Sequence, residues 1–228
     1  MTVLGIDTAT RTASVALVCE DRVLGETSLD SAGGLGATIL PLVDEVLTAA
    51  ARGVDDIDLV AVSIGPGSFT GLRVGLSVAK GLSLASGCPV VGVSTLEALA
   101  LVAGERGCPV CPVLDARKGE VYAALFVNPD GVLTRIMEDR AMTPTELAKA
   151  LAGGCVLIGD GVEAYSKTWQ ECLGERAEML PFAEYHPRGA VIAGLGRRQL
   201  ATLGAESVAS MVPRYCRRPE AEVNLAAH

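Results

Sequence analysis

Four groups of residues in this chain are of types that could carry chemistry. The first is Ser63-Ile64-Gly65-Pro66-Gly67-Ser68-Phe69-Thr70-Gly71, a glycine-rich turn after an apolar run, with the outline of a phosphate-binding loop. Backbone N–H groups at a helix start favour anions. A Walker loop, however, needs Lys and then Ser or Thr after its last Gly, and here Leu72 follows Gly71. A dinucleotide fingerprint needs G-x-G-x-x-G, and Gly65, Gly67 and Gly71 are spaced one residue too wide. A structural strand-to-helix turn built on Gly65 and Gly67 fits these residues better than a phosphate cradle. The second group is a pair of acids, Asp7 and Asp115, each closing an apolar run. They could serve as general bases or magnesium ligands. The simpler reading is structural: at a strand-end turn an Asp accepts hydrogen bonds from nearby N–H groups.

The third group is Cys108 and Cys111, a C-x-x-C. No second pair follows, and the sequence holds only two histidines, His186 and His228, so a zinc set is incomplete. Positions three apart on an extended run also point to opposite faces. No metal site is expected. The fourth group is a late basic cluster, Arg197, Arg198, Arg214, Arg217 and Arg218. It is small, and the net charge of −8 argues against a broad nucleic-acid surface on the chain alone.

These residues hang on elements that the apolar pattern predicts. The first half reads strand 3–7, strand 13–18, strand 22–29, helix 38–52, strand 58–64, helix 70–86, strand 89–93 and helix 95–103. Ser94 and Glu97 open the last helix as a capping box. Ser68 or Thr70 can cap helix 70–86. In that helix Gly71, Gly75 and Ala79 recur at steps of four and form one smooth stripe. A helical Gly costs roughly 1 kcal/mol relative to Ala, so the stripe needs a compensating close approach, and a second helix is the usual one. On this reading the helix packs against a partner, with Phe69, Leu72, Arg73, Gly75, Leu76, Ala79 and Lys80 as contact residues.

The second half repeats the order of elements. Val110–Asp115 is an apolar run ending in Asp, as Val3–Asp7 is, and Glu120–Val127 follows it as a second strand. Val156–Gly161 echoes Val62–Gly67, and Thr143-Pro-Thr-Glu146 caps a short helix between. The interval from Asp to the echoing Gly is 58 residues in the first half and 44 in the second (65 − 7 and 159 − 115), so the second copy is contracted. A duplicated unit of this order suggests a two-lobed α/β protein of the actin/Hsp70/sugar-kinase-like (ASKHA) superfold, divided at 1–105 and 106–228. In that superfold ATP lies between the lobes. Fold analogy alone assigns no activity. A small-molecule kinase or metallopeptidase-like hydrolase remains the alternative reading.

The bulk numbers agree with a globular chain. There are 228 residues, half of them hydrophobic, and seven cysteines, an odd number that suits reduced, buried thiols. No apolar run reaches the ~18 residues that a membrane span needs. No basic region precedes the first apolar stretch, so a cytoplasmic location is expected.

Four segments carry a family resemblance: Leu4–Thr10 (LGIDTAT), Gly65–Gly75 (GPGSFTGLRVG), Val93–Leu96 (VSTL) and Asp115–Tyr122 (DARKGEVY). Together they resemble the bacterial TsaB (YeaZ) family, and Pro213–Arg217 is similar to its closing P-x-Y-x-R. The resemblance spans nearly the whole chain. It implies a non-catalytic subunit that pairs with the TsaD enzyme. With TsaE, that enzyme installs threonylcarbamoyl on the adenosine beside the anticodon of tRNAs reading ANN codons. It further implies a homodimer in isolation, tRNA contact only through the complex, no cofactor of its own, and ATP or ADP at most at the complex interface. The related catalytic subunit binds metal through a His-x-x-x-His pair, which this sequence does not contain. Neither Asp7-Thr8-Ala9-Thr10 nor Asp115-Ala116-Arg117-Lys118 carries the glycines of a phosphate loop. The chain departs from the family at Gly33–Thr38, where members often carry a His and polar residues.

Overall fold

The structure is a computed structural model, and it describes residues 1–30, 39–151, 153–205 and 207–216. The chain opens with strands β1 (Thr2–Asp7), β2 (Thr12–Cys19) and β3 (Arg22–Asp30), then helix α1 (Ile39–Ala49), strand β4 (Leu59–Gly65), helix α2 (Phe69–Ser86), strand β5 (Val90–Ser94) and helix α3 (Thr95–Val102). The first sheet has the order β3-β2-β1-β4-β5. β1 runs antiparallel to β2 and parallel to β4. Its strands alternate by side-chain parity. Leu4, Ile6, Val60 and Val62 face α1 and α2, while Val3, Leu59 and Ala61 face the opposite side. Pro41 falls in the first turn of α1, where the helix tolerates it.

The second half supplies β6 (Val110–Arg117), β7 (Glu120–Val127), β8 (Thr134–Met142), α4 (Pro144–Ala150), β9 (Cys155–Ile158), α5 (Asp160–Ala164), α6 (Ser166–Cys172), β10 (Ala177–Met179) and α7 (Gly189–Leu203). Its sheet has the order β10-β9-β6-β7-β8, which is the first order reversed in writing. β6 pairs antiparallel with β7 and parallel with β9, as β1 does with β2 and β4. The repeat extends to backbone detail: Gly65 and Gly159, ending β4 and β9, have φ of +115° and +117°. Only glycine adopts that conformation without strain. The duplication expected from the sequence is therefore present in both topology and turns. Thr143 caps α4 as a full capping box, its N–H donating to Glu146 Oε2 at 2.9 Å. Gly33–Thr38 lies outside the described residues.

The halves are interlocked by exchanged helices. α3 packs on β6 and β7, where Leu96, Leu99 and Ala103 join Leu114, Ala124 and Phe126 in one core. α7 crosses back to cover the first sheet, where Ile192, Ala193 and Leu195 meet Val3, Leu59 and Val91. Its approach is close enough to require glycines: a Cβ on Gly5 would lie 2.7 Å from the Ala193 nitrogen, and one on Gly196 would overlap the Ala61 side chain. The start of α7 is capped in trans, because Ser14 Oγ accepts from Gly189 N–H at 3.0 Å and Glu26 Oε1 from Ala190 N–H at 3.0 Å. A division of the chain at 105/106 assigns α7 to the second lobe, whereas its packing places it in the first. Among the described residues no helix is long and apolar enough to cross a membrane.

Candidate functional site

The start of α2 is built by three local bonds. Ser68 Oγ accepts from Gly71 N–H at 3.2 Å, Ala9 O accepts from Ser68 N–H at 2.7 Å, and Thr8 Oγ1 donates to Gly71 O at 2.8 Å. The β1–β2 turn is thereby bonded to the β4–α2 turn. A Cβ on Gly67 would overlap Ala9, and one on Gly65 would lie 2.7 Å from Arg214 O. Gly65 also holds a φ of +115°, which disfavours any side chain there. The Ser68 N–H, which a phosphate loop would keep free, is already engaged by Ala9.

The small-residue stripe of α2 faces its own lobe, and this corrects four of the expected contact residues. A Cβ on Gly75 would overlap Thr8 Oγ1. Leu72, Leu76 and Ala79 are buried, Leu76 and Ala79 in the core shared with β1, β4 and α1. The close approach that the glycines permit is to the β1–β2 turn, so the stripe is consumed inside the molecule. The outward row is Phe69, Arg73, Ser77 and Gly81, followed by Leu84. Phe69 is 47% exposed and Leu84 75%. Lys80 is half-buried. Beside this row α1 presents Leu40, 58% exposed, together with Asp44 and Glu45. Arg73 lies 3.9 Å over the Phe69 ring and donates from Nε to Tyr215 Oη at 3.2 Å.

A cleft of about 690 Å³ opens between the lobes, lined in part by Thr10, Phe69, Asp115, Arg117 and Asp160. Asp7 lies beneath the turn, fully buried. Desolvation moves its carboxyl from 3.8 to about 7, against smaller opposing contributions from Ser63 and the Ala9 N–H. Asp7 Oδ2 accepts from Ala9 N–H at 3.4 Å, while its Oδ1 is buried without a partner among the described residues. Asp115 is held by its neighbours: its Oδ1 accepts from Arg117 N–H at 2.8 Å and from the Tyr165 hydroxyl at 3.2 Å. Asp160 accepts from Asp115 N–H at 2.9 Å, and burial raises its carboxyl above the usual range. Arg117 and Lys118 both sit in the left-handed region, φ +61° and +54°, where the sequence carries side chains instead of glycines. Across the cleft Arg11 pairs with Glu163 at 2.8 Å. Asp115 lines the cleft and is occupied with turn contacts, whereas Asp7 is fully buried and is not among the lining residues.

The remaining candidates scatter. Cys111 packs in one core of the second lobe and Cys108 in the other, on opposite sides of its sheet. Arg197 is tied to Asp21 at 2.5 Å, and Arg214 points toward Asp139 at 3.9 Å, so the late arginines form no shared patch among the described residues. Arg217, Arg218 and His228 lie outside those residues. His186 stands 3.4 Å from Ser28 Oγ. Sequence reasoning missed α7, and of the segment after it read only the arginines and the Pro213–Arg217 motif, not its packing. A signal existed: Gly189, Ala193 and Gly196 follow one another at steps of four and three, which also puts small residues on one helix face.

Two lobes of one topology, closed around a cleft at their strand-end turns, define an actin/Hsp70/sugar-kinase-like protein. A ROK hexokinase from Thermus thermophilus shares that fold at a TM-score of 0.50 and 14% identity, covering 88% of this chain and all of the hexokinase. YeaZ from Pseudomonas aeruginosa is far nearer, with a TM-score of 0.79 and 26% identity, covering 94% of this chain and 99% of that one. The tRNA threonylcarbamoyladenosine biosynthesis protein TsaB of Bacillus subtilis is 30% identical over 225 residues, 97% of this chain and 96% of the relative. A family model described as TsaD, tRNA N6-adenosine threonylcarbamoyltransferase, matches residues 35–225. The chain belongs to the TsaB (YeaZ) family of tRNA threonylcarbamoyladenosine biosynthesis.

Proposed function

We propose that this chain is the non-catalytic dimerisation subunit of a tRNA threonylcarbamoyltransferase. It pairs through the outward faces of α1 and α2 with a TsaD-like catalytic subunit and works with a TsaE-like ATPase in the cytoplasm. tRNA is reached only through the complex. The observation that carries this reading is the outward face of α2, with Phe69 and Leu84 exposed toward its two ends and Arg73, Ser77 and Gly81 between them, and the exposed Leu40 on α1, in a family member whose Asp115 is engaged in turn contacts. The same face carries acids on α1 (Asp44, Glu45) and a base on α2 (Arg73). That arrangement is self-complementary under a two-fold axis and supports a homodimer in isolation. The chain is assigned no cofactor of its own, and ATP or ADP would sit at the subunit junction.

The test is titration of a TsaD-like subunit with wild-type chain and with a Leu40→Asp/Leu84→Asp variant, both sites being exposed. Loss of these two exposed apolar contacts lowers affinity by at least tenfold while the melting temperature stays unchanged. Undiminished binding would reject the α1/α2 face. Hydrolysis of ATP by the isolated chain at ordinary enzyme rates would reject the non-catalytic assignment. Salt-dependent tRNA binding by the chain alone would reject recruitment through the complex.

A further inference from the structure

Residues 207–216 follow α7 and run along the junction of the lobes. They are anchored first in the core of the first lobe: Met211 is 1% exposed among the residues packed by α1 and α2, with Val208 beside it. They then cross the β4–α2 turn, where Arg214 N–H donates to Ile64 O at 2.6 Å and the Arg214 carbonyl fills the space that a Gly65 side chain would need. Tyr215, 37% exposed, stacks on Phe69 at 5.4 Å between ring centroids and accepts from Arg73. The far side of the segment meets the second lobe. Arg214 Nη1 lies 3.9 Å from Asp139 Oδ2 on the edge strand β8, and Cys216 is half-buried, with Asp139 and Arg135 within electrostatic reach.

Asp139 is itself a junction residue. Its side chain is 9% exposed, its Oδ1 is paired with Arg135, and its Oδ2 has no hydrogen-bond partner among the described residues. Arg135 in turn donates from Nη2 to Ser94 Oγ at 3.4 Å, at the end of β5 in the first lobe. A single exposed ion pair is worth little. Here a buried methionine and a backbone hydrogen bond fix the chain on one side, and the charged cluster needs to supply only direction on the other.

We propose that Ser207–Cys216 is an interlobe strap that locks the edge strand β8 to the first turn of α2, so that the lobe arrangement and the outward presentation of Phe69 and Arg73 form one coupled state. The strap stacks Tyr215 on Phe69, which also lines the cleft. Perturbing the strap at either end loosens both ends. This inference stands on intramolecular contacts and does not depend on the partner reading.

Native-state hydrogen exchange on the full chain tests it, comparing wild type with Tyr215→Ala, Asp139→Asn and the double variant. Each single variant raises exchange about tenfold at Leu72 and Arg73 and also in β8, and the double variant adds little more, because residues acting through one element are not additive. Leu203→Ala, at an exposed site on α7, changes neither region. Should Tyr215→Ala also speed exchange in the cores of β1 and β6, Tyr215→Phe replaces it, removing only the hydroxyl that Arg73 contacts, and gives the coupled pattern at smaller amplitude. Effects confined to α2 for Tyr215 variants and to β8 for Asp139→Asn, or full additivity in the double variant, would overturn the lock.

Discussion

Alanine introduced at two glycines of α2 should act with opposite sign, although both positions lie inside the same helix. At Gly81 a Cβ meets nothing within 4 Å, so Gly81→Ala gains only helix propensity, about 1 kcal/mol. At Gly75 the same propensity gain is available, but the new Cβ overlaps Thr8 Oγ1, and the Thr8 Cβ and Cγ2 each lie 3.3 Å away. Thr8 is fully buried and donates to Gly71 O at 2.8 Å, so it cannot swing out without breaking that bond. Loss of the bond costs about 1 kcal/mol, and overpacking a filled site costs roughly 1–3 kcal/mol. Net of propensity, Gly75→Ala destabilises by about 1–3 kcal/mol. For a chain of this length 1 kcal/mol moves the melting temperature by roughly 2–4 °C. Thermal unfolding followed by circular dichroism should therefore show Gly81→Ala melting a few degrees higher than wild type and Gly75→Ala several degrees lower. Thr8→Ala in the Gly75→Ala background should recover part of the loss, since it removes the overlapping atom. A stabilising Gly75→Ala would refute the inward assignment of the stripe and return Gly75 to a partner surface.

Asp7 gives the chain a pH dependence of definite sign. Its carboxyl sits at about 7 when folded and 3.8 when unfolded, so the folded state holds the proton longer. Stability then falls as pH rises from about 4 to 7 and is flat beyond, by up to about 4 kcal/mol from this group. Urea unfolding of Asp7→Asn should lack that slope and exceed wild type at pH 7; an unchanged slope would show that Asp7 ionises freely in the fold. Trp169, the one tryptophan of the sequence, is fully buried in the second lobe and donates from Nε1 to Gly161 O at 3.0 Å. Because α3 and α7 are exchanged between the lobes, its fluorescence and the far-ultraviolet signal should report one coincident unfolding transition, whereas two separated midpoints would mean that the lobes unfold independently.

Short-range signals made much of the fold legible. The apolar runs and their turn residues placed β1 through α3 within one residue, except that α1 ends three residues short of the expected 52, because strand parity, Ser caps and a C-terminal Gly are encoded locally. Duplication was readable from Asp7 and Asp115 and from the echo at Gly65 and Gly159. The candidate site was read less well. The stripe Gly71, Gly75, Ala79 announced a close approach correctly, but spacing along a helix states only that something small is needed, not what lies opposite. Thr8 is 67 residues away in the chain from Gly75 (75 − 8), and no local pattern brings it there.

The sequence by itself determined the elements of the first half, the twofold repeat and the family resemblance. Tertiary structure alone decided which face of α2 is spent inside the lobe, that α3 and α7 cover each other's sheets, and that Met211, Arg214 and Tyr215 tie the segment after α7 to the start of α2. The physical reason is the range of the forces involved. Propensity, capping and turn geometry act over a few residues, whereas burial is satisfied by whichever surfaces the folded chain brings together.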